Sequence, residues 1–409
     1  MHRKTSFFIV VSATSAAFGQ VAFYPLNGLS ANTPAGAAAV SGDGRFVVGY
    51  AQLAPGEGDR ALRWTLPNPV PQNLTPTWPS GGASNTGAAA ISFDGSVVVG
   101  YRQNNTPSHA FAVDTPPGTL AALAEISTSS SARVVSSDGH VIIGTGGAEG
   151  VLRWVDRVPA ALGYPNGATF ASPVAMTPDG GTWVGYATIN FFSHAVRWTG
   201  GTYEDLGIPN GFVSSKATAM TADGATVFGT ATRATQYPQG WIRNPDTTYS
   251  MLSGPHGEAI TQALGATPDG RVIVGAYVPT TPLLFDPCIW VDGVAMDVRE
   301  LLTSGGVNLT GWDLTSVLGV SDDGSVITGV GNLNNVFRPW AARIVRPPHC
   351  DPDVNQDGNA DQSDIDYLIN VVAGGSNPTD INPDFNTDGN VDQSDIDALI
   401  NVVAGGECP

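Results

Sequence analysis

Ser92-Phe93-Asp94-Gly95-Ser96-Val97-Val98-Val99-Gly100 decides the fold, because it is one complete copy of a recurring pattern. A hydroxyl residue stands two before an Asp-Gly pair, and a glycine follows six after the Asp. The pair recurs at Asp43-Gly44, Asp138-Gly139, Asp179-Gly180, Asp223-Gly224, Asp269-Gly270 and Asp323-Gly324. The hydroxyl residues are Ser41, Ser92, Ser136, Thr177, Thr221, Thr267 and Ser321; the closing glycines are Gly49, Gly100, Gly144, Gly185, Gly229, Gly275 and Gly329. Seven copies of S/T-x-D-G-x4-G, 41 to 54 residues apart, mark a repeat architecture. Asp292-Gly293 lacks both flanking residues and is not a copy.

Each unit has a legible physics. An apolar run such as Ala37–Val40 or Ala88–Ile91 enters the turn, where glycine supplies a positive φ. A β-branched run leads to the closing glycine, and a third strand carries an aromatic: Trp64, Phe111, Trp154, Trp198, Trp241, Trp290 or Trp340. A short fourth segment ends the unit, as at Tyr203–Gly207 or Met296–Leu302. Four short strands per unit of this length predict a propeller blade.

The ends of the repeat region are permuted. A fourth-strand-like piece, Tyr24–Leu29, precedes any first strand, and the chain of repeats stops after a third strand at Trp340–Val345. The early piece is expected to complete the last blade. The fold class is therefore mainly β: a seven-bladed β-propeller of four-stranded blades over residues 20–346, with a small α-helical domain over 347–409. A solenoid or a pair of β-sandwiches competes, but neither explains permuted ends.

The chain of 409 residues has 50 glycines, 30 prolines and only 13% charged residues, which suits turns and short strands. Its net charge of −18 is unevenly placed: 12 Asp, one Glu and no Lys or Arg lie from Cys350 onward, leaving about −5 for the rest. No basic patch points to nucleic acid. His2-Arg3-Lys4, the apolar run Phe7–Ala17 and Ala17-Phe18-Gly19 read as a signal peptide over 1–19. No stretch reaches the length of a membrane span. A secreted, extracellular or cell-surface protein is expected. Cys350 and Cys408 bracket the acidic segment, and a disulfide between them would stabilise it by roughly 4 kcal/mol. Cys288, in a strand-like run, reads as a buried free thiol.

Pro352–Gly375 recurs as Pro383–Gly406 with four differences. Each copy spaces oxygen ligands as a 12-residue calcium loop does, at positions 1, 3, 5, 7, 9 and 12 with glycine at 6. The first set is Asp353, Asn355, Asp357, Asn359, Asp361 and Asp364, with Gly358; the second is Asp384, Asn386, Asp388, Asn390, Asp392 and Asp395, with Gly389. Two Ca²⁺ ions are expected. Pro352 and Pro383 oppose an entering helix, so each unit should be loop then helix. Ile365, Leu368, Ile369 and Val372, and their counterparts Ile396, Leu399, Ile400 and Val403, recur at helical spacing and should pack together.

Two resemblances follow. The large region resembles the HAF-type extracellular repeats of bacterial secreted proteins, through His109-Ala110-Phe111 and His194-Ala195-Val196-Arg197-Trp198, with weaker Leu62-Arg63-Trp64 and Leu152-Arg153-Trp154. That resemblance implies a propeller-like fold and transfers no catalytic residue. The duplicated tail is similar to the dockerin module, with Asp rather than Glu at position 12. It implies a cohesin-like or cell-surface partner, contacted by positions 10 and 11: Gln362-Ser363 and Gln393-Ser394. Ala360, where the pattern carries a larger aliphatic, departs from it; the second copy keeps Val391.

The seven turn aspartates read as structural, since a catalytic residue is needed once and not in every blade. Thr177–Trp183 falls one residue short of the sialidase Asp-box. The histidines show no metal spacing, and His109 and His194 occupy equivalent, packing positions. The function expected is a secreted non-enzymatic binding protein, docked through a calcium-dependent tail, with Trp78 and Tyr237 as candidate glycan contacts. The alternative is a polysaccharide-active enzyme, a glycoside hydrolase or lyase, carried by the same tail.

Overall fold

Residues from Ala35 to Asn73 form four antiparallel strands, Ala35–Val40, Phe46–Gln52, Asp59–Thr65 and Pro71–Asn73, paired in sequence order. The computed structural model describes residues 21–30, 33–76, 84–104, 107–115, 120–234, 237–279, 284–344, 354–355, 360–377, 383, 385–386 and 390–404. The expected signal peptide, Trp78 and both Cys350 and Cys408 lie outside these residues. The chain divides into two units, one of them Val21–Ile344. That unit holds seven four-stranded sheets: it is a seven-bladed propeller, and the chain is mainly β.

The turn chemistry is the same in every blade. In blade 1 the Ser41 hydroxyl donates to Asp43 Oδ1 (2.7 Å) and accepts from Phe46 N–H (3.0 Å), while Arg45 N–H donates to the same Asp43 oxygen (3.0 Å). Gly44 N–H closes the turn on Ser41 O at 2.9 Å, with Gly44 at φ +69°. Hydroxyl-to-carboxylate bonds of 2.5–3.0 Å recur at Asp94, Asp138, Asp179, Asp223, Asp269 and Asp323. These aspartates thus hold loops. Asp292-Gly293, by contrast, has both residues at positive φ (49° and 81°) and makes a two-residue hairpin turn.

The closing glycine answers a close approach. Each first strand carries a bulge at the equivalent position, for example between Ala37 and Ala39 in blade 1 and between Ala88 and Ala90 in blade 2, and blades 4 and 7 add a second irregularity earlier in the strand. The bulge pushes a carbonyl of the first strand toward the second. A Cβ on Gly49 would meet Gly36 O at 2.0 Å, and one on Gly275 would meet Gln262 O at 1.8 Å; the other five glycines give 2.0–2.2 Å. Backbone cannot yield as a side chain can, so glycine is required in all seven blades.

First strands converge on a central channel, where the residue between hydroxyl and Asp forms a belt. Phe93 N–H donates to Ser137 O (3.0 Å), Ser137 to Pro178 O (2.9 Å), Ala222 to Pro268 O (2.7 Å) and Asp322 to Gly42 O (2.9 Å); Asp43 N–H donates to Phe93 O (3.1 Å). Pro178 and Pro268 have no N–H, so the belt breaks between blades 4 and 5 and between blades 6 and 7.

Apolar burial is divided among the blade interfaces. Trp64 and Leu62 pack with Val326 and Ala341 between blades 1 and 7, and Trp241 packs with Val184 and Ala195 between blades 5 and 4. The ring closes as the permuted ends predict. The closing strand is Ala22–Pro25, which starts two residues before the expected Tyr24–Leu29 and ends at Pro25; it pairs antiparallel with Val336–Arg343 as the fourth strand of the last blade. One expectation is corrected. Met296–Leu302 is strand only over its first two residues: the fourth strand of blade 6, Val294–Asp297, stops at Asp297, and helix α1 follows, Val298–Ser304. Asp297 caps it by accepting from Glu300 N–H, and Val298 and Leu302 are buried on one helical face between blades 6 and 7.

The C-terminal segment contains two helices of 11 residues, α2 (Gln362–Val372) and α3 (Gln393–Val403). Each begins at a capping box: Asp361 or Asp392 as N-cap, and Asp364 or Asp395 reaching back. Gly374, at φ +84°, ends the first. Their core is Ile365, Leu368, Ile396 and Leu399, with Val354 and Phe385 from the loops. Ile369 and Ile400 were expected in that core; both are 43% exposed. Tyr367 and Val372 of α2, and Ala398, Val402 and Val403 of α3, pack against that core instead.

Candidate functional site

The tail places part of each expected ligand set. In the first copy, Asn355, Asp361 and Asp364 are described; in the second, Asn386, Asn390, Asp392 and Asp395. Asp353, Asp357, Asn359, Asp384 and Asp388 lie outside the described residues. Asp364 is fully buried. Its Oδ1 accepts from Asn355 N–H (3.0 Å) and its Oδ2 from Asp361 N–H (2.8 Å). Asp395 repeats this with Asn386 N–H (3.0 Å) and Asp392 N–H (2.9 Å). The loop's third and ninth positions are thereby drawn onto its twelfth. Among the described residues alone, no group of three or more His, Cys, Asp or Glu forms a metal cluster.

Gln362 and Ser363 stand in the exposed first turn of α2, where Gln362 Nε2 donates to Asp366 (3.0 Å) and Ser363 Oγ accepts from Asn355 Nδ2 (2.7 Å). Gln393 and Ser394 make the same bonds to Asp397 (3.1 Å) and from Asn386 (2.7 Å). Sequence reasoning missed Val354 and Phe385, the buried residues at position 2 of each loop. The signal was present: an apolar side chain at that position in both copies of an otherwise polar loop.

At the turn end of the channel a cavity of ≈ 180 Å³ is lined by apolar first-strand ends, including Val40, Ile91, Met176 and Met220. Phe93, Pro178, Pro268 and Asp322 of the belt complete it. Asp322 is the one carboxylate of this lining. Burial holds its pKa above the ordinary carboxylate range, and Asp323 and Asp43 add to the rise.

The remaining candidates have local partners. His109 Nδ1 meets Glu125, in the link between blades 2 and 3, at 2.7 Å, and His194 Nδ1 meets Asp205 of its own blade at 2.9 Å. Cys288 is a buried free thiol whose pKa burial pushes far up, the opposite of what a nucleophile needs. Tyr237 is 43% exposed. No described helix is long and apolar enough to cross a membrane.

No protein-family model matches the chain, and no curated protein does. Solved structures do. Oligogalacturonate lyase from Vibrio parahaemolyticus aligns over 79% of this chain and 97% of that one, at 11% identity and a TM-score of 0.52. The propeller domain of the trilobed protease from Pyrococcus furiosus aligns over 76% of this chain and 95% of that one, at 12% identity and a TM-score of 0.51. TolB from Acinetobacter baumannii matches over 62% of each chain, less than two thirds of its length, at 13% identity and a TM-score of 0.44. At these identities the likeness is one of fold. The Pyrococcus domain is described as an open velcro, whereas here Ala22–Pro25 fastens the last blade.

Proposed function

We propose that this is a secreted, non-enzymatic binding protein whose dockerin-like tail, loaded with two Ca²⁺ ions, docks the propeller to an extracellular or cell-surface partner. One observation carries the reading. Asp364 and Asp395 are fully buried carboxylates, yet residues 350–409 contain no Lys, Arg or His. A buried carboxylate without a counter-charge costs several kcal/mol even when hydrogen-bonded, and a hard cation with oxygen ligands offsets that cost. Asn355, Asp361 and Asp364, and Asn386, Asn390, Asp392 and Asp395, would hold the ions together with the loop carboxylates Asp353, Asp357, Asp384 and Asp388. The exposed pairs Gln362-Ser363 and Gln393-Ser394 would face the partner. Because the pairs are identical, either copy could present the same contact.

The enzyme reading draws on the fold it shares with oligogalacturonate lyase, but a fold carries no activity by itself. A glycosidase needs two carboxylates about 5–10 Å apart; the lining of the channel's turn end offers Asp322 alone. The decisive experiment is calorimetric titration of chelator-treated full-length protein with Ca²⁺. Two sites per chain, with helix gained on loading, are expected. A flat titration removes the metal and the docking with it.

A further inference from the structure

Seven near-equivalent blades provide their own control, since a residue that breaks the repeat at a channel-side position has a reason other than the fold. At the bulged position of the first strand, six blades carry Ala38, Ala89, Val174, Thr218, Leu264 and Leu318; blade 3 carries Arg133. Two residues earlier in the same strand, blade 5 carries Lys216, one of only two lysines in the sequence. Both cations are exposed. Among the described residues neither has an acidic partner, and the undescribed propeller loops (31–32, 77–83, 105–106, 116–119, 235–236 and 280–283) contain no Asp or Glu. Most other propeller arginines are engaged, as Arg45 is with Asp43 or Arg271 with Asp292.

Each of these cations stands near a tyrosine of the preceding blade. Lys216 Nζ sits 4.5 Å from the centre of the Tyr186 ring. Arg133 and Tyr101 line one cavity of ≈ 330 Å³, with Gln103, Ser129, Ser131 and Thr145. Tyr101 and Tyr186 both directly follow a closing glycine, so they stand at one level of the ring; Tyr50 of blade 1 is a third. The chain makes room for two of these rings. A Cβ on Gly87 would strike the Tyr101 ring at 2.7 Å, and one on Gly36 would strike the Tyr50 ring at 2.7 Å. Phe170 extends the aromatic surface, its ring centre 5.9 Å from that of Tyr186.

We infer that this end of the channel, opposite the Asp-Gly turns, binds an acidic oligosaccharide: Arg133 and Lys216 take carboxylates, while Tyr50, Tyr101 and Tyr186 stack on sugar rings. Half-buried tyrosines present a flat apolar face with a hydrogen-bonding tip, and the serine and threonine hydroxyls around Arg133 suit a ligand rich in hydroxyl groups. Cations without acidic partners, Arg133 in its cavity and Lys216 over the Tyr186 ring, raise the local concentration of an anionic ligand. Asp59, which lies near Tyr50 and Tyr101, repels the anionic groups and so directs them to Arg133 and Lys216. The inference rests on reading the propeller as a binding face, and it is independent of the metal.

The test uses the full-length calcium-loaded protein, with hexagalacturonate as the acidic probe and cellohexaose as the neutral one. Hexagalacturonate should bind at least ten-fold more tightly, and weaken as salt rises. R133Q combined with K216Q should lose that preference with an unchanged thermal midpoint, and Y101A should weaken whatever binding remains. Equal affinity for both sugars, no binding to either at millimolar concentration, or an unaffected double variant overturns the inference. A D364A/D395A variant should bind hexagalacturonate as the native chain does. If the native chain binds hexagalacturonate while its own calcium titration is flat, the tail reading alone has failed.

Discussion

Phe23 and Trp340, from opposite ends of the propeller sequence, stack with ring centres 5.8 Å apart and planes 27° from parallel. The same Phe23 ring stands edge-on to Trp312 at 5.2 Å. Its strand supplies the pairs Ala22 with Arg343 and Phe23 with Ala342, so the stacked rings sit at the fastening of the last blade. Phe23→Ala should remove about 3 kcal/mol of packing. The measurable result is a lower thermal midpoint, with proteolysis starting in the 312–343 region. An unchanged midpoint and cleavage pattern would show that the ring closes without this contact.

Gly100→Ala should be among the most damaging single methyl additions in the chain. The new Cβ would lie 2.0 Å from Gly87 O and 3.1 Å from Ala88 Cα, both backbone atoms beside the bulge. Relief requires moving the first strand, and overpacking of this kind costs about 3 kcal/mol. Gly147→Ala is the control: its nearest neighbour is Ser127 Oγ at 3.4 Å, so its effect should stay within about 0.5 kcal/mol. Comparable urea midpoints for the two variants would refute the account of the repeat glycine.

Acid should loosen the blades through their turns. At Asp138 the Ser136 hydroxyl and then His140 N–H hold the carboxyl below its ordinary pKa; at Asp179 and Asp223 the threonine hydroxyl, Thr177 or Thr221, does so first. A carboxylate with a depressed pKa binds fewer protons folded than unfolded. Its contribution is therefore complete above the unfolded value of about 3.9 and is lost as pH falls through the folded value. Unfolding midpoints should be flat from pH 7 to about 5 and decline below about 4. The combined Asp138→Asn, Asp179→Asn and Asp223→Asn variant should show a shallower decline.

What the sequence made legible, and what it hid, has a physical pattern. Blade number and closure could be read because each blade needs a hydroxyl, an Asp and a glycine at its turn and a second glycine in the strand that follows, and because a fourth-strand-like piece at Tyr24–Leu29 precedes any first strand. Helix α1 could not, because Met296–Leu302 is apolar enough for a strand, and only Asp297 with Glu300 three residues on signalled a cap. The exposure of Ile369 and the burial of Val371 were hidden too. The two lie about 200° apart round the helix, so the apolar spacing alone did not show which of them would be covered. In the channel, Arg133 and Lys216 carry no motif of their own. They stand out only once strand register shows which positions in the seven blades are equivalent.

Asp364→Ala tests the tail most directly. The native side chain brings a charge into a fully buried position and accepts from two N–H groups, so its loss has opposite consequences with and without an ion. With Ca²⁺, full-length protein should bind one ion where the native chain binds two, because the twelfth ligand is gone from the first loop only. In chelator, the variant should keep at least the native helix content. The lost capping bond costs about 1 kcal/mol, and this is offset by removing a buried charge that lacks a cation. Calorimetric titration with far-ultraviolet circular dichroism measures both. Two intact sites in the variant would mean that Asp364 serves only as a helix cap.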